Sequence, residues 1–156
     1  MFWQKKRKLY APVDGVFVAL QDVADEVFSS GMMGQGMAIE PTADTIVAPA
    51  DVKVISASDT MKHALGLRLS NGCELLIHVG IDTVLLKNQG FVPLVEEGAK
   101  VKRGTPLLKF DPQLIKQNGL KQTVMMIVTE AKDQPIEWLP NLQELTGGKT
   151  AVSLLK

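Results

Sequence analysis

Short apolar runs separated by turn-forming residues dominate the chain from residue 9 to residue 130. Glycine, proline, asparagine or aspartate bounds most of these runs, and the spacing typical of amphipathic helices is almost absent. Such a density of short strands and turns is typical of all-β proteins, and we predict a single-domain β sandwich. The predicted strands are 9–11, 15–20, 35–39, 45–48, 52–57, 63–69, 73–79, 106–109 and 123–129, followed by a loop over 139–150 and a last strand at 151–155.

One segment carries helix signals. Asp111 precedes Pro112, and an aspartate N-cap followed by proline is a usual helix start. Asn118-Gly119 is a usual helix end, so the sequence predicts one or two helical turns between these points.

Two segments of the chain are faintly alike. Leu9-Tyr-Ala-Pro-Val-Asp-Gly-Val resembles Ile46-Val-Ala-Pro-Ala-Asp-Val-Lys, and each Ala-Pro-x-Asp lies between strand-like runs. Two related units packed face to face would explain the similarity, with chance as the alternative.

The two histidines of the chain, His63 and His78, flank an Asn-Gly turn signal. Asn71-Gly72 between two apolar runs predicts a two-residue hairpin loop, with Ser70 opposite Cys73. In that register His78 pairs with Leu65 and His63 pairs with Gly80. Because side chains alternate with period two, both imidazoles then project from one face as diagonal neighbours. Such a pair is suited to phosphoryl transfer, metal binding or proton transfer, although a His pair in a hairpin is more often structural.

Burial would favour the neutral, nucleophilic form of these rings. Leu65, Leu67 and Leu76 are expected on the same face as the histidines. Two histidines are too few for structural zinc, so we expect no cofactor and no metal beyond adventitious zinc. A carrier-type alternative also exists, since Met61-Lys62-His63 and the Val-Lys-Arg-Gly segment faintly resemble biotinyl or lipoyl domains that present a modified lysine. The order of the segments differs from those domains.

Composition narrows the classes of partner. The 156 residues carry 17 basic and 17 acidic side chains, which gives no basic footprint for nucleic acid. A single cysteine, Cys73, excludes an internal disulfide and indicates a reducing, cytoplasmic setting, and we expect it to be a packing residue.

No apolar run is long enough to span a membrane, and no signal peptide is evident. Residues 1–8 are expected to be a flexible basic tail, with Phe2 and Trp3 as a weak interfacial anchor in the alternative; residues 9–156 form the domain.

The sequence resembles the glucose-family enzyme IIA domain of the bacterial phosphoenolpyruvate–sugar phosphotransferase system over residues 9–130. The most specific segment is Leu76-Ile-His-Val-Gly-Ile-Asp-Thr-Val-Leu-Leu. Supporting segments are Lys62-His-Ala-Leu-Gly-Leu, Leu9-Tyr-Ala-Pro-Val-Asp-Gly, Met33-Gly-Gln-Gly-Met-Ala-Ile, Gln89-Gly-Phe and Glu97-Gly-Ala-Lys-Val.

The resemblance implies a β sandwich with an internally duplicated motif and a phosphocarrier activity. It implies that His78 accepts a phosphoryl group from the phosphocarrier protein HPr and passes it to a cysteine on the IIB domain of a sugar permease. It implies that His63 stabilises the phosphoryl group. The positions that match the family's partner-binding surface are Asp25, Val27, Phe28, Met33, Leu76, Asp82 and Val84.

The sequence departs from the family near the first histidine. Met61 replaces a threonine that bonds a site imidazole, Thr60 lies one position away, and Asp59 replaces an aromatic residue. Asn88 replaces the first glycine of Gly-x-Gly-Phe. Our expectation is a monomeric cytoplasmic phosphotransferase; a regulatory binding module of the same fold and the Lys62 carrier are the alternatives.

Overall fold

The computed structural model describes residues 7–140 and 142–155. Strands account for 45% of the protein and short helices for 11%, which confirms the all-β prediction. The first strands are β1 (Arg7–Tyr10), β2 (Gly15–Ala19), β3 (Gln35–Pro41), β4 (Thr45–Val47), β5 (Val52–Ser56), β6 (Ala64–Arg68) and β7 (Glu74–Ile81). The remaining strands are β8 (Phe91–Pro93), β9 (Lys100–Val101), β10 (Pro106–Phe110), β11 (Lys121–Glu130), β12 (Ile136–Trp138), β13 (Glu144–Leu145) and β14 (Ala151–Leu155).

The strands form three sheets among the described residues. The largest has eight strands in the order β13-β2-β3-β11-β7-β6-β5-β9, and two three-stranded sheets have the orders β1-β14-β12 and β4-β10-β8. The strands β8, β9, β12 and β13 were not predicted, because they are only two or three residues long and show no alternation of apolar and polar residues. The segment 139–150, predicted to be a loop, contains β13, which pairs with β2 through Glu144 and Val16.

The helices are short. The helix α1 (Glu26–Ser29) begins after Asp25, whose Oδ1 accepts a hydrogen bond of 3.0 Å from the backbone N–H of Val27. The helix α2 (Pro112–Gln117) has the predicted Asp111 cap, which accepts from Leu114 N–H at 3.1 Å. Two 3-10 turns, Leu20–Asp22 and Thr83–Leu86, complete the set within the described ranges.

The eight-stranded sheet has a different apolar cluster on each face. On the inner face Leu75, Ile77 and Val79 of β7 belong to the main core. On the outer face a smaller cluster contains Val23, Phe28, Ala38, Ile81, Met125 and Ile127, with Leu76 half-buried against it. The helix α1 lies over the outer face because Phe28 is its buried residue. The outer cluster becomes the floor of the candidate site.

The internal duplication is visible in the backbone hydrogen bonds. Tyr10 N–H donates to the carbonyl of Pro49 at 2.8 Å, and Val47 N–H donates to the carbonyl of Pro12 at 2.7 Å. The two Ala-Pro segments therefore bind each other reciprocally, as a pseudo-twofold pair would.

The residues that follow each Ala-Pro segment are also equivalent. Asp14 Oδ1 accepts from Gly147 N–H at 2.7 Å, and Asp51 Oδ1 accepts from Arg103 N–H at 2.9 Å. Each aspartate thus anchors a distant turn in the same way. The faint repeat is therefore a real duplication, in agreement with the predicted fold.

The predicted register of the hairpin is wrong by one residue. Ala64 pairs with His78 and Leu65 with Ile77, because the loop is Ser70-Asn71-Gly72 and Leu69 N–H donates to the carbonyl of Cys73 at 2.8 Å. The Asn71 side chain accepts from Cys73 N–H at 3.0 Å, which stabilises the three-residue loop. Leu65 and Leu67 consequently face the main core, not the histidine face.

The ends of the domain differ slightly from expectation. Arg7 and Lys8 lie in β1, paired with Leu155 and Leu154, so the folded part begins before the expected boundary at residue 9. The rest of the predicted tail, residues 1–6 with the proposed anchor residues Phe2 and Trp3, lies outside the described residues.

Within the described ranges, no helix has the length and hydropathy needed to cross a membrane. Cys73 is free and fully buried in the main core, as a packing residue should be.

Candidate functional site

His78 lies on the outer face of the eight-stranded sheet. It is flanked by Ala64 on β6 and Met125 on β11, and it is half-buried. The ring of Phe28 from α1 packs against the imidazole, with ring centroids 4.9 Å apart. The alternation of β7 fixes this position, since Leu75, Ile77 and Val79 take the inner face and His78 takes the outer one.

His63 reaches the same place by a different route. It lies in the turn before β6, and its carbonyl accepts a 2.8 Å hydrogen bond from Val79 N–H. If β6 extended to His63, the alternation of side chains would place the imidazole on the inner face of the sheet. Because His63 precedes the strand, its side chain can lie on the outer face instead. The imidazoles of His63 and His78 meet edge to face with centroids 4.7 Å apart. The predicted contact is confirmed, but the reason given for it was wrong.

The turn that carries His63 is held by Asn88. The Asn88 side chain accepts from Lys62 N–H at 3.0 Å and donates to the carbonyl of Asp59 at 3.2 Å. Asn88 itself has φ of 70°, in the left-handed region that asparagine tolerates better than most residues. The hydroxyl of Thr60 pairs with Ser58 at 2.7 Å and makes no bond to an imidazole, while Met61 is half exposed. In the sequence Asn88 stands out only as a departure from the family pattern.

Both rings are neutral at physiological pH. Burial lowers the pKa of His63, which is only 4% exposed. Burial, and then the neighbouring His63, lower the pKa of His78 to about 4, while the Gly80 backbone and Asp25 oppose the shift. A neutral imidazole retains a lone pair, so His78 is in its nucleophilic form without any further base.

The two nitrogens of His78 have different surroundings. Nδ1 is fully buried and has no hydrogen-bond partner among the described residues, so the Gly80 backbone interacts with the ring without normal hydrogen-bond geometry. Nε2 makes no hydrogen bond within these ranges either, yet it does not share the full burial of Nδ1. Nε2 is therefore the nitrogen that an incoming group can reach.

The end of β7 is tightly built around the site. Gly80 has φ of 83°, and a Cβ there would lie 2.2 Å from Cγ2 of Thr83 and 3.0 Å from the carbonyl of Lys121. Thr83 is buried and donates its hydroxyl hydrogen to the carbonyl of Val79 at 2.5 Å. Asp82 between them is exposed and left-handed, with φ of 59°. These contacts fix the backbone two residues beyond His78.

The predicted partner surface is only partly an exposed collar. Val27 is 50% exposed, Met33 39% and Val84 61%, as expected for contact residues. Leu76 is half-buried on the face of His78, and Asp25 is half-buried as the cap of α1. Phe28 is not exposed, because it packs beneath α1 against His78.

Further exposed apolar residues were missed by sequence analysis. Leu85 is 69% exposed in the turn beside Val84. Val92 and Leu94 are 57% and 48% exposed and flank Pro93 at the end of β8, the strand that contains the Phe91 packed on His63. An apolar residue that is exposed in a turn or in a three-residue strand carries no periodic signal, so only the three-dimensional structure reveals these positions.

Two alternatives can be compared with the geometry. No group of three or more His, Cys, Asp and Glu side chains is placed to hold a metal within the described ranges. Lys62 is half-buried in the turn before β6, with its N–H bonded to Asn88. A lysine modified by a carrier enzyme projects from a hairpin tip, so the carrier hypothesis is not supported.

Known proteins resemble the chain along most of its length. A family model described as phosphoenolpyruvate-dependent sugar phosphotransferase system, EIIA 1, matches residues 7–134. A glucose-specific EIIA component of Staphylococcus epidermidis is 40% identical over 148 residues, covering 95% of this chain and 89% of the relative. A glucose-specific EIIBCA component of Corynebacterium glutamicum is 44% identical over 124 residues, 80% of this chain but 18% of that protein. The solved glucose permease IIA from Mycoplasma capricolum superposes with a TM-score of 0.86 at 32% identity, covering 100% of this chain and 99% of that one.

Proposed function

Because the chain belongs to the EIIA 1 family of the phosphoenolpyruvate-dependent sugar phosphotransferase system, we propose that His78 accepts a phosphoryl group from HPr and passes it to a cysteine of a permease IIB domain. Membership makes the protein a phosphotransferase component of sugar uptake. The observation that supports the proposed acceptor is the neutral His78 ring, whose Nε2 is the accessible nitrogen and whose neighbour is a second imidazole.

The first half-reaction is an in-line displacement at phosphorus. The Nε2 lone pair of His78 attacks, the new N–P bond forms, and the N–P bond to the donor histidine breaks with its electron pair returning to that histidine. The proton of the neutral His78 ring is then on Nδ1. Such a transfer needs positioning and charge stabilisation more than covalent machinery.

The second half-reaction reverses the roles. A cysteine thiolate attacks the phosphorus, the S–P bond forms, and the N–P electron pair returns to Nε2 of His78. His63 is placed to hydrogen-bond an oxygen of the phosphoryl group as that group leaves His78, because its imidazole contacts the His78 ring.

The exposed face suits a relay between proteins. Val27, Val84 and Leu85 are at least half exposed. A shallow apolar surface lets a partner bring its own histidine or cysteine to the phosphorus, and small interfaces suit transient partners. The corynebacterial relative is named an EIIBCA component, which combines B, C and A parts in one protein, and this supports a IIB domain as the partner. The relatives' names are glucose-specific, which supports a glucose permease.

The direct test is incubation with phosphoenolpyruvate, enzyme I and HPr, followed by mass spectrometry. We expect a rapid, acid-labile phosphoryl gain that His78→Ala abolishes. Base-stable label remaining in His78→Ala, on His63 or elsewhere, contradicts the assignment. A loaded protein that never donates to a IIB cysteine supports the regulatory module instead.

His63→Gln separates the two half-reactions. Glutamine keeps a hydrogen-bond donor near His78 but cannot become charged. We expect HPr still to load His78, while transfer to the IIB cysteine slows by roughly 10²-fold, as for loss of a transition-state donor. Normal rates in both steps would make His63 a bystander.

A further inference from the structure

A pair of adjoining clefts opens far from the histidines, at the edge formed by β5, β9 and the tip of the β6–β7 hairpin. Their volumes are about 450 and 500 Å³, and they share Asp51, Leu69, Ser70 and Lys102 in their walls. Arg68 at the cleft lies five positions along β6 from His63, roughly 17 Å at the rise of an extended strand. The clefts are therefore distinct from the phosphoryl site.

The walls of the clefts are strongly cationic. Seven of the 17 basic residues of the chain line them, but only one of the 17 acidic residues, Asp51, does so. In a chain with no net charge, this bias concentrates positive potential in one concave place. The cations are Arg7, Lys8, Lys53, Arg68, Lys100, Lys102 and Arg103.

Most of these charges have no carboxylate partner in the part of the chain that the structure describes. Arg68 forms an ion pair with Glu74 at 2.9 Å, and Lys102 lies 3.9 Å from Asp51. Arg7 instead contacts the hydroxyl of Ser70, and Arg103 stacks 3.9 Å above the ring of Tyr10. Lys8, Lys53 and Lys100 have no ion pair in these ranges. Their positive charge is available to an anion.

The internal duplication shows that the anchored turn does not require the cation Arg103. Asp14 anchors Gly147 in one copy just as Asp51 anchors Arg103 in the other. The first copy builds the same aspartate-anchored turn with a glycine, so the turn does not depend on a charged side chain. The stacking on Tyr10 and the anchored backbone hold Arg103 in place, which lowers the entropy lost on binding a ligand.

We propose that this cationic cleft is a second binding site that takes a small phosphorylated compound. Guanidinium forks and ammonium groups are the usual ligands of phosphate oxygens. The floor is apolar, with Val52 and Leu69 buried and Val101 half-buried, so the body of the compound has a surface to pack against. The site is independent of phosphoryl transfer through His78.

The test uses inorganic pyrophosphate as the probe and follows backbone amide shifts of the full chain at low salt. We expect saturable binding of one equivalent, with shifts confined to the cleft around Tyr10, Ser70 and Val101, and an affinity that falls as salt rises. The double variant Lys102→Gln/Arg103→Gln should weaken binding by about tenfold or more, as for loss of charge-assisted bonds.

The control is Lys116→Gln, which removes one positive charge, half the change in the double variant, from the exposed side of α2 outside the cleft. It should bind pyrophosphate like the parent, and all three proteins should still be loaded by HPr. Shifts that never saturate, or an equal loss in Lys116→Gln, overturn the proposal. Binding to phosphatidylglycerol vesicles without saturable pyrophosphate binding also overturns it, since the surface would then recognise a membrane.

Discussion

At the residue scale, the neutral state of His78 links the site to the stability of the fold. The folded ring has a pKa of about 4, below the ordinary value of 6.5, because burial and His63 both disfavour its charged form. Between these two values the unfolded chain binds a proton that the folded chain does not. The free energy of unfolding therefore falls as the pH is lowered through this window, and the His78 contribution is constant above it.

This coupling can be measured by comparing the parent with His78→Gln. From pH 6.5 to pH 4.5 the parent should lose more stability in urea unfolding than the variant, by at most about 1.4 kcal/mol per pH unit. Carboxylates away from the site contribute alike to both proteins, so the difference in slope reports His78 together with its coupling to His63 and Asp25. Equal slopes would mean that His78 titrates normally.

Asn88 is a positioning residue for His63, because its side chain bonds both Asp59 and Lys62 in the turn before the histidine. Asn88→Ala should slow transfer to the IIB cysteine by about tenfold or more, since small misplacements of a transition-state donor are costly. Loading by HPr should change much less. The measurement is single-turnover kinetics of each half-reaction.

The control for Asn88 is Gln89→Ala, which removes an exposed side chain from the next position. Its transfer rate should equal that of the parent. The combination of Asn88→Ala with His63→Gln should be no slower than His63→Gln alone. An additive loss would show that Asn88 acts elsewhere than through His63.

At the element scale, the end of β7 depends on Gly80. Its φ of 83° suits glycine, and a Cβ would lie 2.2 Å from the Thr83 side chain. Gly80→Ala should lower the free energy of unfolding by about 2 kcal/mol or more, through backbone strain together with the clash. Chemical denaturation measures the loss, and HPr loading should fall because His78 lies two residues away.

Gly98→Ala separates strain from crowding. Gly98 has φ of 93°, yet nothing lies within 4 Å of the position that its Cβ would take. Alanine at position 98 has the backbone strain but no steric clash. Gly98→Ala should therefore lower the free energy of unfolding by less than Gly80→Ala does, and phosphorylation of His78 by HPr should be unchanged. Equal losses would mean that Thr83 moves aside freely.

At the scale of the whole molecule, the charge is balanced in sum but unevenly distributed. Asp25, Glu26 and Asp82 lie near the histidine face, while the cationic cleft occupies the other end of the hairpin. An acidic rim should steer a basic partner to the site. Association with HPr should therefore slow as salt rises, which stopped-flow measurements at several salt concentrations can follow.

Asp82→Asn tests this steering with a close structural control. Asp82 and Asp133 are both exposed and left-handed, with φ of 59° and 58°, and asparagine tolerates that conformation. Asp133 lies in the turn after β11, at the Glu74 end of β7. Asp82→Asn should slow association and weaken its salt dependence, whereas Asp133→Asn should not. The same effect in both variants would place the docking face elsewhere.

The sequence by itself determined the fold class, the duplication and the helix α2, and it marked His63 and His78 as a pair through segments that resemble one family. These features depend on local signals: alternating apolar residues, the Asp-Pro start of α2, and segments specific to one family. Strands of two or three residues such as β9 and β13 carry too few positions for alternation, so they escaped prediction.

Only the tertiary structure decided how the two histidines meet. One additional loop residue, Ser70, moves the register so that Leu65 faces the core, and the predicted pairing fails. The histidines still meet because His63 lies in a turn that Asn88 holds from another loop. Contacts between residues far apart in the chain, such as Asn88 with Lys62 or Arg103 with Tyr10, leave no local pattern. Their free energy depends on packing of the whole molecule, which a sequence periodicity does not record.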